Sequence, residues 1–217
     1  MDQLTEAFKF RHACKVFDKN KKLSKEDLDY ILQAGRLSPS SFGLEPWHFL
    51  VISDEKLKAE LKPICFDQQQ ITSCSHVVIV LYRKAAQFTM QSPYLHDTVK
   101  QQLSPNSDQA TIDAACQYFI NYCHNELPKQ LTVDNWSEMQ CYLPVANMLT
   151  AAAYKQIDSC AIGGFQYDKL ANFLTENWTQ FDKESYGIAL CLAFGYRLEP
   201  VTSPKVRHDM DKIVTFL

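Results

Sequence analysis

One short segment limits the possible folds more than any other. Ser75–Tyr82 (SHVVIVLY) is rich in β-branched residues and apolar on both faces, which is typical of a fully buried strand. Tyr186–Phe194 (YGIALCLAF) is a second apolar strand of this kind. Segments with helical spacing alternate with the strands along the chain. The sequence therefore predicts an α/β or α+β fold.

The remaining periodicity predicts most of the other elements. Two shorter strands are expected, at His48–Ser53 and Cys160–Ile162. Helices are expected over residues 2–11, 107–127, 134–157 and 167–177. Two further helices are expected to begin at a capping box at Ser24 and at a cap at Asp54. One stripe of the helix over 134–157 is formed by Trp136, Met139, Leu143, Asn147 and Thr150. Residues 83–106 show no clear period, and the tail from residue 200 ends in a short amphipathic turn.

Size and charge exclude several classes of protein. The 217 residues hold no repeat or linker, so one domain over residues 1–217 is expected. The formal net charge of −3 is unlike that of nucleic-acid binders, and no apolar run reaches the ~18 residues of a membrane span. The first 18 residues mix acids and bases, unlike a secretion signal, so we expect a cytoplasmic protein. In that compartment the eight singly placed cysteines would be small core residues.

The common nucleotide, protease and hydrolase motifs are absent from the sequence. There is no G-x-G-x-x-G and no G-x-x-x-x-G-K-[ST], which argues against a Rossmann site and a P-loop. H-E-x-x-H and G-x-S-x-G are also missing. The six histidines show no metal-ligand spacing, so no structured metal site is expected.

Two basic clusters, one near each end, are the main candidates for chemistry. The first contains Arg11, His12 and Lys15, and the second contains Lys205 and Arg207. Each could be solvated surface charge, the usual position of such side chains. Alternatively, the two clusters converge on one phosphate, which Arg and Lys recognise well.

Two loops add possible ligand contacts. Residues 38–46 contain small hydroxyl residues where a backbone could approach a flat ligand, although this could be an ordinary proline-containing turn. Gly163 and Gly164 follow a predicted strand and would let backbone N–H groups approach a ring edge, or form a plain strand-to-helix turn.

Taken in order, these pieces resemble the nitroreductase family of flavoproteins over most of the chain. Five motifs carry the resemblance: Arg11-His12-x-x-Lys15-x-Phe17-Asp18, Ser38-Pro39-Ser40-Ser41-x-x-x-x-Pro46-Trp47-x-Phe49, Gln68-x-Gln70-x-x-x-x-Ser75-His76-Val77, Asp158-Ser159-Cys160-x-Ile162-x-Gly164-Phe165 and Lys205-x-Arg207. The resemblance implies an α+β sandwich whose mixed, mostly antiparallel sheet is wrapped by helices. It also implies an intertwined homodimer with FMN at the interface, NADH or NADPH as co-substrate, and a tail that crosses onto the partner's sheet.

The resemblance also implies roles for individual residues. Arg11, Lys205 and Arg207 would hold the FMN phosphate, with His12 in the same motif, and Lys15 would reach the polar edge of the ring. The other cofactor-binding positions are Ser40 and Ser41 (from the partner chain), Asp67 and Gln70 at the ring edge and nicotinamide side, and the turn of Ile162, Gly163 and Gly164.

Three positions depart from the family pattern. Ala13 stands where Ser is frequent, Asp67 where Asn is usual, and Gly163 where Glu is usual. An ionised Asp67 cannot donate a hydrogen bond to the flavin, so it would accept one or turn away. These changes leave the FMN assignment in place and the substrate range open.

The implied activity is ping-pong reduction of flat acceptors such as nitroaromatics and quinones. Phe42 is a candidate wall of the acceptor slot, and Tyr122 is a weaker one that could be an ordinary core aromatic. One alternative is another branch of the superfamily, such as a flavin reductase, an enone reductase or a dehalogenase-like enzyme. The other is a non-catalytic flavin-binding redox sensor using Cys14, whose pKa the flanking cations could lower.

Overall fold

The computed structural model describes residues 2–217 and is built on a four-stranded sheet. The strands are β1 (Trp47–Ile52), β2 (His76–Arg83), β3 (Asp158–Ile162) and β4 (Tyr186–Gly195), in the order β1-β2-β4-β3. All three pairings are antiparallel, with Val78 opposite Leu192 in the centre. In the described part of the chain, parallel pairing is limited to an isolated bridge between Ala13 and Ser159.

Eight α-helices surround the sheet in residues 2–217. They are α1 (Gln3–Phe10), α2 (Lys25–Arg36), α3 (Glu55–Ile64), α4 (Gln69–Ser73), α5 (Pro93–Gln102), α6 (Gln109–Asn125), α7 (Val133–Tyr154) and α8 (Tyr167–Asn177). Ser24 and Asp54 accept hydrogen bonds from the backbone N–H groups of Asp27 and Leu57, which confirms both predicted helix starts. The α+β class is also confirmed.

Both faces of the sheet are buried, as the two apolar strands predict. Val77, Ile79 and Leu81 of β2 face one side and pack in a cluster with residues of α3 and α8. Val78 and Val80 face the other side and pack with residues of α2 and α7. Neither face of the central strands contacts water, so helices must cover both.

A third apolar cluster lies beyond the sheet and includes much of the segment without a clear period. Helix α5 begins at Pro93, with the Ser92 hydroxyl accepting from the Leu95 N–H. It packs with α6 around Phe119 and Trp136. The stretch 83–106 is therefore partly helical, and Ser92-Pro93 is the sequence signal for the start of α5.

The predicted stripe on α7 mostly faces outward. Trp136 is buried, but Met139 and Leu143 are 57% and 43% exposed. The sheet is contacted instead by Cys141, Val145, Met148 and Ala152, which follow the same helical spacing. Because α7 is apolar on more than one side, spacing alone did not identify the side that faces the sheet.

The chain after β4 runs along the surface. Residues 198–217 are exposed and contain one 3-10 turn, Met210–Lys212. Apolar side chains are prominent among them, and Phe216 is 94% exposed. Within residues 2–217, no helix is both long and apolar enough to cross a bilayer.

Candidate functional site

The two basic clusters, almost two hundred residues apart in sequence, meet in space. The Lys205 ammonium donates hydrogen bonds to the carbonyl oxygens of Phe8 and Arg11, at the end of α1. The clusters line a cavity of about 590 Å³, whose walls also include Ala13, Arg197 and residues 203–206. Arg11, His12, Lys205 and Arg207 are among its lining residues. Lys15 lines an adjoining cavity that shares His12, Ala13 and Arg197.

The cavity carries an excess of positive charge. Burial and the nearby charges of Arg11 and Arg207 lower the pKa of Lys205. After burial, the charges of Arg11 and Arg207 contribute to this shift, because the three cations repel one another. A bound anion would relieve that repulsion, and two guanidinium groups with an ammonium suit a phosphate. The site therefore fits the phosphate end of FMN.

The one buried carboxylate beside this cavity is already neutralised. Arg197 places Nη2 2.7 Å from Oδ1 of Asp158, and its backbone N–H donates to Oδ2 at 2.8 Å. The Arg197 guanidinium also lies 4.2 Å from the ring centroid of Phe10. The pair holds the start of β3 against the end of β4 and supports the floor of the cavity.

His12 lies between the cavity and this ion pair. Its Nδ1 is 3.6 Å from Oδ1 of Asp158. Burial, followed by the charge of Arg197, lowers the pKa of His12, and these effects outweigh the opposing effect of Asp158. His12 is therefore a neutral ring at physiological pH, available for a hydrogen bond rather than a charge contact.

The expectation that Cys14 is activated by its cationic neighbours is wrong. Its thiol is buried and donates to the Val16 carbonyl oxygen at 3.3 Å. Burial, followed by the charge of Asp158, raises the pKa of Cys14 to about 11. The flanking Lys15 side chain is exposed, and neighbouring positive charge does not compensate for burial of the thiol. This finding removes the main support for a thiol-based redox sensor.

Three possible metal ligands come together here although the sequence shows no metal-binding spacing. The ligand atoms of His12, Cys14 and Asp158 all lie within 4.8 Å of one another. Arg197, however, already pairs with the carboxylate, and the thiol is strongly protonated. A cation would also meet the positive charge of the adjacent cavity, so this cluster is better explained as part of the Arg197 ion-pair network.

Lys15 belongs to a second set of contacts, centred on Cys160. The Lys15 Nζ lies 3.9 Å from the Cys160 Sγ, and the Gln70 Nε2 lies 4.0 Å from the same sulfur. Gln70 is buried, on α4, and donates to Gln68 at 2.7 Å. The structure thus brings Lys15 and Gln70 together around one β3 residue.

The glycine turn lies beside this set. Ile162 is buried at the end of β3, and Gly163 is exposed with open space around its Cα. The Gly164 carbonyl oxygen accepts a hydrogen bond from Gln68 Nε2 at 2.9 Å. Asp67 is exposed with a φ of 55°, in the left-handed region that Asn and Asp tolerate. This turn and its surroundings are accessible to a flat ligand.

The hydroxyl loop is separate from the basic cavity. The Ser40 hydroxyl accepts from the Glu45 N–H at 2.8 Å, and the Ser41 N–H donates to Gln140 of α7 at 2.9 Å. Phe42 adopts a φ of 57°, and its ring centroid is 4.8 Å from that of Tyr122. In the described residues, no contact of this loop reaches the basic cavity. The two candidate slot residues are brought together, but away from the phosphate end.

Comparison with known proteins gives a consistent result over nearly the whole chain. The model described as "Nitroreductase family" matches residues 8–196. A "Putative NAD(P)H nitroreductase" of Staphylococcus saprophyticus is 40% identical over 217 residues, covering 99% of this chain and 96% of the relative. The "putative nitroreductase ydfN" structure from Bacillus subtilis matches with a TM-score of 0.82 at 20% identity, over 99% of both chains. A "putative nitroreductase in complex with FMN" from Exiguobacterium sibiricum matches with a TM-score of 0.78 at 26% identity, over 100% of this chain and 98% of that one.

Proposed function

This chain belongs to the nitroreductase family, and on that premise we propose that it is an FMN-dependent oxidoreductase using NADH or NADPH. The observation that carries the proposal is the meeting of Arg11, Lys205 and Arg207 at one cavity. Surface lysines and arginines normally point separately into solvent. Here burial, followed by the charges of Arg11 and Arg207, lowers the pKa of Lys205, so a bound anion would relieve the repulsion between these groups.

We assign the phosphate of FMN to this basic cavity, with Arg11, Lys205 and Arg207 as its charged ligands and His12 as a neutral neighbour. Lys15 and Gln70 would face the polar edge of the ring, close to the exposed Asp67. Gly163 and Gly164 would present backbone N–H groups, since both residues are exposed and neither carries a side chain. Ala13 contributes only a methyl group to the cavity.

When bound, FMN accepts hydride from NAD(P)H and passes reducing equivalents to an acceptor. The protein's part is placement and charge. A positive Lys15 near the ring would stabilise the negative charge that develops on reduction. We propose flat acceptors, nitroaromatics and quinones, which occupy the nicotinamide site after NAD(P)⁺ leaves. Phe42, with Tyr122 against it, would form one wall of that site.

A homodimer would complete the site. Outward-facing apolar residues of α7, among them Met139, Tyr142 and Leu143, form a surface suited to a second copy. The exposed apolar end of the tail, including Ile213 and Phe216, would cross onto the partner, while Lys205 and Arg207 stay at the cavity of their own chain. Ser40 and Ser41, which do not reach the basic cavity of their own chain, would then contact the FMN of the other.

The visible absorption spectrum of the purified protein, before and after anaerobic NADPH, tests the proposal. We expect flavin bands that bleach on addition of NADPH. A colourless protein that also fails to take up added FMN would overturn it. Nitroaromatic, quinone, flavin and enone acceptors, assayed in parallel, then distinguish nitroreductase activity from the other branches of the family.

A further inference from the structure

Gln68 is absent from the predicted site, yet three hydrogen bonds join it to residues around that site. We infer that Gln68 is a positioning residue: it holds the Gly163–Gly164 turn in place and fixes which end of the Gln70 amide is free for a ligand. The first part concerns the protein alone. The second part rests on the proposed function, because the ligand in question is FMN.

The Gln68 amide group is fully engaged. Its Nε2 donates to the carbonyl oxygens of Cys65 and Gly164, both at 2.9 Å. Its Oε1 accepts from Gln70 Nε2 at 2.7 Å. Because the first two partners are carbonyl oxygens, the nitrogen must face them and the oxygen must face Gln70. No other orientation of the amide satisfies all three contacts.

The bond to Gly164 joins two segments that are distant in sequence. Gln68 precedes α4, whereas Gly164 follows β3. Gly163 itself has open space on the side where a Cβ would lie, whereas the far end of the turn is held by the Gln166 N–H, which donates to the Ile64 carbonyl oxygen at 2.9 Å. The Gln68 bond therefore restrains the turn at Gly164, next to the backbone N–H groups that we assign to the flavin.

The bond to Cys65 closes a turn of unusual backbone conformation. Phe66 and Asp67 have φ values of 53° and 55°, a region that costs non-glycine residues energy. The Gln68 side chain reaches back across this turn to the Cys65 carbonyl oxygen, which also accepts from the Gln68 backbone N–H at 3.3 Å. Gln68 thus anchors a strained segment on one side and the glycine turn on the other.

Gln68 also determines what Gln70 can offer. One N–H of Gln70 Nε2 is used by Gln68, and the same nitrogen lies 4.0 Å from the Cys160 Sγ. Its Oε1 has no partner in residues 2–217. Gln70 therefore presents a hydrogen-bond acceptor, which suits an N–H of the pyrimidine edge of the flavin rather than one of its carbonyl oxygens.

The neighbouring glutamine provides a matched control. Gln69 is exposed, and its side chain makes no hydrogen bond in the described structure. Gln68→Met removes all three bonds at nearly constant side-chain length. Gln68→Glu retains the acceptor for Gln70 but sets a carboxylate against two carbonyl oxygens. Gln69→Met and Gln69→Glu make the same chemical changes one position away.

Hydrogen exchange of the apoprotein, read by mass spectrometry over residues 162–167, tests the restraint directly. Loss of the Gly164 bond should raise exchange there about fivefold in Gln68→Met and Gln68→Glu. Neither Gln69 variant should change it. Unchanged exchange in both Gln68 variants would overturn the inference, whether or not the protein binds FMN.

Fluorescence titration of the apoprotein with FMN tests the consequence for the ligand. The Kd should rise about tenfold in Gln68→Met, and the effects of Gln68→Met and Gln70→Met should be less than additive, because one residue acts through the other. Faster exchange with an unaltered Kd would show that the turn does not serve FMN. If the wild-type protein takes up no FMN, the proposed function fails, while the exchange result still decides whether Gln68 restrains the turn.

Discussion

Arg197 engages both carboxylate oxygens of Asp158, with Nη2 2.7 Å from Oδ1 and Nε 3.1 Å from Oδ2. Asp158 is buried at the start of β3, whereas Arg197 follows β4. The pair therefore fixes the point at which the chain leaves the sheet and enters the tail. Any anion site that uses both ends of the chain depends on this contact.

Removing Arg197 should destabilise the protein strongly. Arg197→Met leaves a buried carboxylate without its partner, which costs about 3–5 kcal/mol of unfolding free energy. Urea denaturation measures this loss. Lys25→Met breaks an exposed ion pair with Asp29 and should cost less than about 1 kcal/mol. Equal losses in the two variants would contradict the role assigned to Arg197.

Removing Arg207 should weaken FMN binding. One charged hydrogen bond to phosphate contributes about 1.5–3 kcal/mol, so the Kd of Arg207→Ala should rise roughly 10- to 150-fold. The Kd of Arg207→Lys should lie between those of the wild-type protein and Arg207→Ala, because lysine keeps the positive charge and loses the planar geometry. Fluorescence titration of the apoprotein with FMN gives these values. Lys212→Ala, elsewhere in the exposed tail, is the control, and an unchanged Kd in Arg207→Ala would refute the phosphate assignment.

Cys14 should be chemically inert. A thiol with a pKa of about 11 is almost entirely protonated at pH 8, and the thiolate is the reactive form. Mass spectrometry after brief iodoacetamide treatment should find Cys14 unmodified, with labelling that increases only at higher pH. Cys14→Ala should retain reductase turnover and flavin content. Rapid labelling that releases flavin would restore the redox-sensor hypothesis.

A charge placed on the outer side of α7 should prevent dimer formation. Leu143→Glu buries a carboxylate in the proposed interface, so sedimentation should shift from dimer to monomer. FMN should be lost with it, because Ser40 and Ser41 would no longer reach the partner's site. Lys169→Glu, on α8 across the sheet, should change neither property. A monomer that retains FMN would refute the shared site.

The strands were predictable because burial on both faces leaves a direct sign in the sequence, as in Val77–Leu81. The buried side of α7 was not predictable, because the stripe that contains Trp136 and the stripe that contains Cys141 both have helical spacing. The basic residues were found as clusters, but their meeting depends on the route of the tail, which only the resemblance implied.

The prediction that neighbouring cations lower the pKa of Cys14 was wrong, because the charges next to it in the sequence do not reveal that the thiol is buried. Gln68 was missed as a site residue because an amide acquires its role from partners distant in sequence.

Stability should fall as the pH drops below neutrality, because several half-buried histidines favour the neutral form in the folded chain. Burial is the largest cause of the lowered pKa of His12, His48 and His76. The unfolded chain therefore binds more protons than the folded one as the pH falls through the ordinary histidine value of 6.5. By linkage, the free energy of unfolding increases with pH across this range. The contribution of the neutral histidines to stability is lost towards pH 5. Urea denaturation between pH 8 and 5 measures the slope. His76→Gln should flatten it, whereas replacing the exposed tail residue His208 with Gln should not, and a slope that His76→Gln leaves unaltered would rule out this cause.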